Sequence, residues 1–191
     1  LGGDQSFSQG TTDEGHSVLF GDGVSVASVV LKDRDSNCFF AAGTDGSGYK
    51  SLYIPDGGKR RPVNKKSLEP RMDETGVMRT GTDVILDGPK ILSFSVARAQ
   101  KEILRIMSAA KWDFEGLDYC FLHQANKMIN ETIRRKLKGP IEKFPNSLKY
   151  YGNTSVASAT LTMTSIEDAH WNKDKAKSIL CTFGIGLSWS S

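Results

Sequence analysis

The stretch Leu117-Asp118-Tyr119-Cys120-Phe121-Leu122-His123-Gln124-Ala125-Asn126, with Ile129, Ile133 and Leu137 beyond it, decides the fold. It opens as a short apolar strand, Leu117 to Leu122, that ends on His123. The period then changes: apolar residues recur every four positions, the mark of an amphipathic helix, which Gly139-Pro140 closes. A titratable side chain therefore stands between a strand and a helix.

Working outward, Val96, Ala99, Ile103, Leu104, Met107 and Ala110 place one side of an earlier helix that starts near Ser93, and Gly116 closes the turn after it. Downstream, Phe144 to Tyr151 is a loop or short extended piece. Gly152-Asn153-Thr154-Ser155 then introduces a third helical stretch of small residues, Val156 to His170. Ser178 to Phe183 and Leu187 to Trp189 read as strands joined through Gly184-Ile185-Gly186. At the other end, Ser17 to Val24 and Ser25 to Leu31 read as strand, tight turn, strand, and Cys38 to Ala42 as another short strand. Residues 43–87 form a long surface loop, and its cations Lys59, Arg60, Arg61, Lys65 and Lys66 read as a solvated face. Alternating strands and helices with short connections predict a layered α/β domain, in which functional groups collect beyond the carboxyl ends of the strands. His123 stands at such an end, and so does the Gly184–Gly186 turn.

Composition narrows the function. The 191 residues are 38% hydrophobic and 25% charged, as in an ordinary soluble chain of one domain. A formal net charge of +3, without basic clusters interleaved with aromatics, speaks against nucleic acid. No apolar run reaches the roughly 20 residues of a membrane helix, and the N-terminus has no signal-peptide pattern, so a cytoplasmic protein is expected. The opening residues lack an initiator methionine and read as the tail of a strand, which predicts a start within a longer protein or a split subunit. Cys38, Cys120 and Cys181 are odd in number and widely spaced, so each is expected to be a buried thiol, with no disulfide framework and no metal site. Asn130-Glu131-Thr132 and Asn153-Thr154-Ser155 fit the glycosylation sequon, a match read as accidental without a secretory signal.

Taken alone, His123 suits general acid–base work, donation to an oxyanion, or simple satisfaction of local backbone groups. Asn153 fits a helix N-cap as well as a catalytic amide.

Four segments, in order, resemble the ketoacyl-acyl carrier protein synthase III family: Phe20-Gly21-Asp22-Gly23, His123-Gln124-Ala125-Asn126, Tyr151-Gly152-Asn153-Thr154-Ser155 and Phe183-Gly184-Ile185-Gly186-Leu187-Ser188-Trp189. The resemblance covers essentially the whole chain. It implies a thiolase-like fold, with residues 1–191 as one C-terminal half, a mixed sheet with helices packed on its faces. The nucleophilic cysteine would come from the half before it. The implied reaction is a decarboxylative Claisen condensation: an acyl group passes from a thioester to the cysteine, and malonyl-carrier protein loses carbon dioxide and attacks it. By residue match, His123 and Asn153 would donate to the thioester oxygen, and the Gly186 N–H would complete an oxyanion hole for acyl transfer.

The resemblance further implies that Asn126, Ile129 and Gly88 line a tunnel for the pantetheine arm of coenzyme A. Leu92 stands where an aromatic is common. Glu14 stands where an arginine stacks on adenine, which points to priming by a carrier-bound acyl group. Arg134, Arg135, Lys136 and Lys138 would dock the acidic carrier protein, with Met128 in place of a further arginine. No permanently bound cofactor is implied; coenzyme A and carrier-protein thioesters are substrates. The partners implied are acyl carrier protein, acyl-coenzyme A, the N-terminal half and a second copy in a homodimer. The alternatives are a thiolase-fold acyltransferase of secondary metabolism, or a non-catalytic subunit paired with a cysteine-bearing partner.

Overall fold

The structure is a computed structural model that describes residues 2–5, 19–29, 37–166 and 176–191. Its strands and helices, in chain order, are β1 Gly2–Gln5, β2 Gly23–Val26, β3 Ala42–Thr44, β4 Leu52–Tyr53, β5 Arg71–Met72, β6 Met78–Arg79, β7 Ile85–Leu86 and α1 Gly88–Ala110. They continue with β8 Tyr119–Leu122, α2 Lys127–Leu137, α3 Leu148–Tyr151, α4 Ser158–Thr164, β9 Ser178–Gly184 and β10 Ser188–Ser190. Glu14 and the segment expected to end the third helix at His170 lie outside the described residues, as does Leu31.

The central sheet has the order β3-β10-β9-β8. β8 and β9 are parallel, and β9, β10 and β3 follow antiparallel, so the sheet is mixed as expected. Side chains alternate across it. On β9, Ile179, Cys181 and Phe183 are buried, whereas Leu180 between them is 37% exposed. The first set packs with Cys120 and Leu122 of β8 against Val96, Ala99, Ile103 and Met107 of α1 and Ile129, Ile133 and Leu137 of α2. Burying each such aliphatic side chain is worth roughly 1.5–3 kcal/mol relative to leaving it in water. Phe121 is fully buried but lies outside this cluster, and its parity puts it on the opposite face.

α1 begins at Gly88, more than a turn before the expected Ser93. The Asp87 carboxylate caps it by accepting from the Lys90 N–H at 3.1 Å, and a proline stands in the first turn. Asp-Gly-Pro reads as a turn in sequence, which hides the helix start. Ile106 takes the buried position in which Leu104 was expected, and Leu104 is exposed. Lys111 ends the helix in the left-handed conformation, its N–H returning to the Met107 carbonyl.

Two expectations need correction. Leu19 and Phe20 belong to no strand; they form a turn and an isolated bridge to Asn153. Cys38 is exposed, because the strand placed at residues 38–42 begins only at Ala42.

Residues 43–87 are a surface excursion with an internal scaffold. β4 pairs with β7, and the β5–β6 hairpin is nested between them. Asp83, almost fully buried, accepts from the Thr80 N–H at 2.7 Å and the Thr80 hydroxyl at 3.0 Å. Asp73 binds the Thr75 hydroxyl, the Val77 N–H and Arg79, and these bonds bring its carboxyl down to about 2.

Candidate functional site

Three short segments meet where β8 ends, and main-chain bonds join two of them. The Leu19–Gly21 turn docks on Asn153 through two main-chain bonds, Gly21 N–H to Asn153 O at 3.0 Å and Asn153 N–H to Leu19 O at 2.9 Å. The approach demands glycine. A Cβ on Gly21 would stand 1.8 Å from the Tyr151 carbonyl oxygen, and Gly152 adopts φ +63 beneath Leu19.

Asn153 then uses its side-chain oxygen locally, with Oδ1 accepting from the Ser155 N–H at 2.9 Å. A backbone N–H can only donate, so the bonded atom is the oxygen and the NH2 group is the polar atom left for the cavity. This is an i to i+2 turn rather than the helix N-cap that the sequence also allowed. Ser155 pays for the turn with φ +47, a conformation that costs a non-glycine residue on the order of 1 kcal/mol or more.

His123 follows β8, its N–H bonded to the Cys181 carbonyl at 2.9 Å. Its ring stands edge-on to Phe183, with centroids 5.1 Å apart, and Nδ1 lies 2.8 Å from the Ser158 hydroxyl on α4. Burial pulls the imidazole down to about 4, against the upward pull of a hydrogen bond with the Ser155 backbone. At neutral pH the ring is uncharged. Gln124, fully buried, donates to the Leu122 carbonyl at 2.8 Å and accepts from the Ser147 N–H at 3.3 Å. Asn126 caps α2, with Oδ1 accepting from the Ile129 N–H at 2.8 Å. Of the four residues His123 to Asn126, only the histidine presents a titratable group.

Two cavities share His123, Asn153, Phe20, Leu52, Phe183 and Gly184. The larger, of about 650 Å³, is walled by Tyr53, Ile54 and Val84 from the excursion and by Ile185, Ser188 and Trp189 from the C-terminal strand pair. The smaller, of about 80 Å³, runs between Ile91, Ser95, Asn126 and Ile129. The structure thus brings together His123, Asn153, Asn126 and Ile129, although Ile129 also belongs to the core. Gly88 opens α1 and Leu92 packs on the core, and neither lines either cavity.

Gly186, at φ +75, also stays off both linings, and the turn residues that border the larger cavity are Gly184 and Ile185. A left-handed Leu187 follows, held by its carbonyl to the Asp45 N–H. Gly48 packs closely opposite it, and a Cβ there would stand 2.0 Å from Leu187 Cδ1, so the leucine side chain would have to shift.

Neither buried thiol belongs to the site. Burial raises Cys120 well above the usual thiol range and Cys181 to about 12, so both stay protonated, and neither lines either of these two cavities. Among the described residues no group of three or more His, Cys, Asp and Glu side chains forms a metal site, and no helix is long and apolar enough to cross a membrane. On α2, Arg134 is tied up: it pairs with Glu131 at 2.7 Å and donates to the Gly139 carbonyl at 2.8 Å. Arg135, Lys136 and Lys138 remain exposed, as do Lys127 and Met128.

Ser158 and the excursion's wall residues were not singled out in sequence. Ser158 carries no motif signal beyond lying five residues after Asn153, and two-residue strands such as β4 leave no periodicity to read.

Residues 107–191 match the family model described as 3-oxoacyl-[acyl-carrier-protein (ACP)] synthase III C terminal. Beta-ketoacyl-[acyl-carrier-protein] synthase III of Streptococcus agalactiae serotype III is 33% identical over 186 residues, covering 94% of this chain and 53% of the relative. The protein of that name from Streptococcus pyogenes serotype M5 is 32% identical, with 94% and 52% covered. Among solved structures, 3-oxoacyl-(acyl-carrier protein) synthase from Burkholderia xenovorans superposes with a TM-score of 0.79 at 27% identity, over 100% of this chain and 53% of the other. The Thermus thermophilus synthase III gives 0.77 at 28%, over 100% and 56%. The fold is the thiolase-like one expected from the sequence, and the chain spans about half the length of the relatives it matches.

Proposed function

We propose, from the premise that this chain is related to the C-terminal half of the 3-oxoacyl-acyl carrier protein synthase III family, that it supplies the oxyanion-stabilising half of a decarboxylating condensing site. One observation carries this reading. Asn153 spends its oxygen on Ser155 and keeps its NH2 for a cavity that it shares with a half-buried, uncharged histidine. Two neutral donors in a partly dry pocket suit a thioester oxygen that gains negative charge as a malonyl group loses carbon dioxide. Neither donor changes charge near neutral pH, so both remain in their donating form.

The substrates on this reading are an acyl thioester of coenzyme A or carrier protein and a malonyl-carrier thioester. The acyl-accepting cysteine belongs to a preceding half of the intact protein, since Cys120 and Cys181 are buried and protonated and Cys38 lines neither cavity. Val24 and Val26 of β2, 65% and 80% exposed, offer an apolar strand for that half to cover. The acidic carrier docks on Lys127, Arg135, Lys136 and Lys138 of α2, a contact that added salt weakens. The smaller cavity, between Asn126 and Ile129, takes the slender arm of the thioester.

The test uses the intact protein. His123→Ala and Asn153→Ala should each cut carbon dioxide release from malonyl-carrier thioester by about 100- to 1,000-fold while acylation of the cysteine persists. Unchanged decarboxylation in both variants would overturn the reading, and no carbon dioxide release from the unmodified protein would favour a non-decarboxylating acyltransferase.

A further inference from the structure

We propose that Ser158 is a positioning residue that fixes the tautomer of His123: its hydroxyl donates to Nδ1 and keeps the ring proton on Nε2, the nitrogen left for the cavity. The inference rests on the donor role given to His123 above, but its geometry stands independently of the substrate.

Two nitrogen atoms converge on the Ser158 hydroxyl oxygen. His123 Nδ1 lies 2.8 Å away and the Gln124 N–H 3.2 Å away, and the serine is 1% exposed. The Gln124 N–H is a pure donor, so it occupies one of the two lone pairs on Oγ. The Ser155 backbone also faces the His123 ring, and two arrangements remain at Oγ. If Nδ1 carried the proton, it would take the second lone pair, and the serine proton would need a further acceptor. Among the described residues no such acceptor is bonded to this oxygen. The Ser158 carbonyl is engaged by the Thr162 hydroxyl at 2.8 Å, and the Ser158 N–H by the Ser155 carbonyl. A buried hydroxyl proton would be stranded, which corresponds to about ten-fold or more against that tautomer. If the serine donates instead, every polar atom of Ser158 is satisfied, Nδ1 is an acceptor, and the N–H falls on Nε2.

The arrangement also couples the two donors. Asn153 sets the turn that leads into α4, and α4 carries Ser158 back to His123. One short segment therefore holds one donor and orients the other.

The experiment is a long-range proton–nitrogen correlation spectrum of the intact protein labelled with ¹⁵N-histidine. The His123 resonances are assigned by their loss in His123→Gln. Above pH 6 the expected pattern is a protonated Nε2 and a bare, hydrogen-bonded Nδ1. A proton on Nδ1 in the unmodified protein overturns the proposal, whatever any variant does. In Ser158→Ala the pattern should turn into a tautomer mixture and kcat for condensation should fall about ten-fold with KM nearly unchanged, whereas Ser158→Thr should restore both. A nitrogen pattern unmoved by Ser158→Ala also overturns it, since a serine serving only to pack the helix would change stability without changing the ring. If the Nε2–H pattern holds but His123→Gln leaves malonyl decarboxylation intact, the condensing reading fails and the tautomer assignment stands.

Discussion

The platform around His123 and the excursion at residues 43–87 are built by opposite means. In the platform, polar side chains are bound to main-chain atoms from distant parts of the chain: Gln124 to Ser147, Ser158 to Gln124, with Asn153 clamped by the Leu19–Gly21 turn. In the excursion most side-chain bonds are local, as in Asp73 with Thr75 and Val77, and the cations Lys59, Arg60, Lys65 and Lys66 stand in water. The first region tolerates almost no change in shape. The second tolerates a great deal, yet it delivers Tyr53, Ile54 and Val84 to the same cavity. On the proposed reading, accuracy where charge develops and latitude where a substrate's bulk is accommodated are assigned to different parts of one chain.

The largest expected effect breaks the platform outright. Gly21→Ala puts a Cβ into the Tyr151 carbonyl, and backbone stands on both sides of the clash, so nothing flexible can yield. A loss above about 3 kcal/mol is expected, beyond ordinary overpacking, read as a fall in the denaturant midpoint or in soluble yield. The same substitution at Gly58, where a Cβ meets open space, should be nearly silent, and equal losses at both positions would dissolve the contrast.

Acid sharpens it further. The folded state holds His123 neutral down to about pH 4, whereas an unfolded histidine protonates near 6.5, so the unfolded state binds more protons between those values. Stability should therefore fall as the pH drops from about 6.5 toward 4, by at most about 3 kcal/mol, and His123→Gln should flatten that slope in pH-dependent unfolding. A slope equally steep in the variant would place the titration elsewhere.

The smallest effect belongs to the excursion. Lys59→Ala with Arg60→Ala should change stability by less than about 0.5 kcal/mol in thermal unfolding, because both side chains stand in solvent. A larger loss would mean that the excursion is as tightly specified as the platform.

The contrast also sets what the sequence could tell. The apolar periods of α1, α2, β8 and β9 are legible because burial on one face imposes them, and the placement of His123 at a strand end follows. The segments around Gly21, His123 and Asn153 announce themselves by residue type. How each atom is spent is hidden, because that depends on a neighbour many positions away. Arg134 reads as a surface cation until the Gly139 carbonyl is seen to hold it, and Gly186 reads as the residue facing the cavity until Gly184 and Ile185 are found there instead. Cys38 shows the same blindness. Two phenylalanines follow it, but the strand that would have buried the thiol begins only at Ala42. The nested strands of the excursion are two residues long, too short for any period to show.

Lys143 has a consequence of a different kind. Its ammonium group donates to the carbonyls of Phe114, Glu115 and Leu117, 26 to 29 positions earlier in the chain. These bonds close a ring of main chain around β8, His123 and α2, with a cation serving as the clasp. Motions that loosen this ring must first open the clasp, so the amides of β8 and α2 should exchange with solvent as one unit, ahead of or behind the rest of the sheet but not piecemeal.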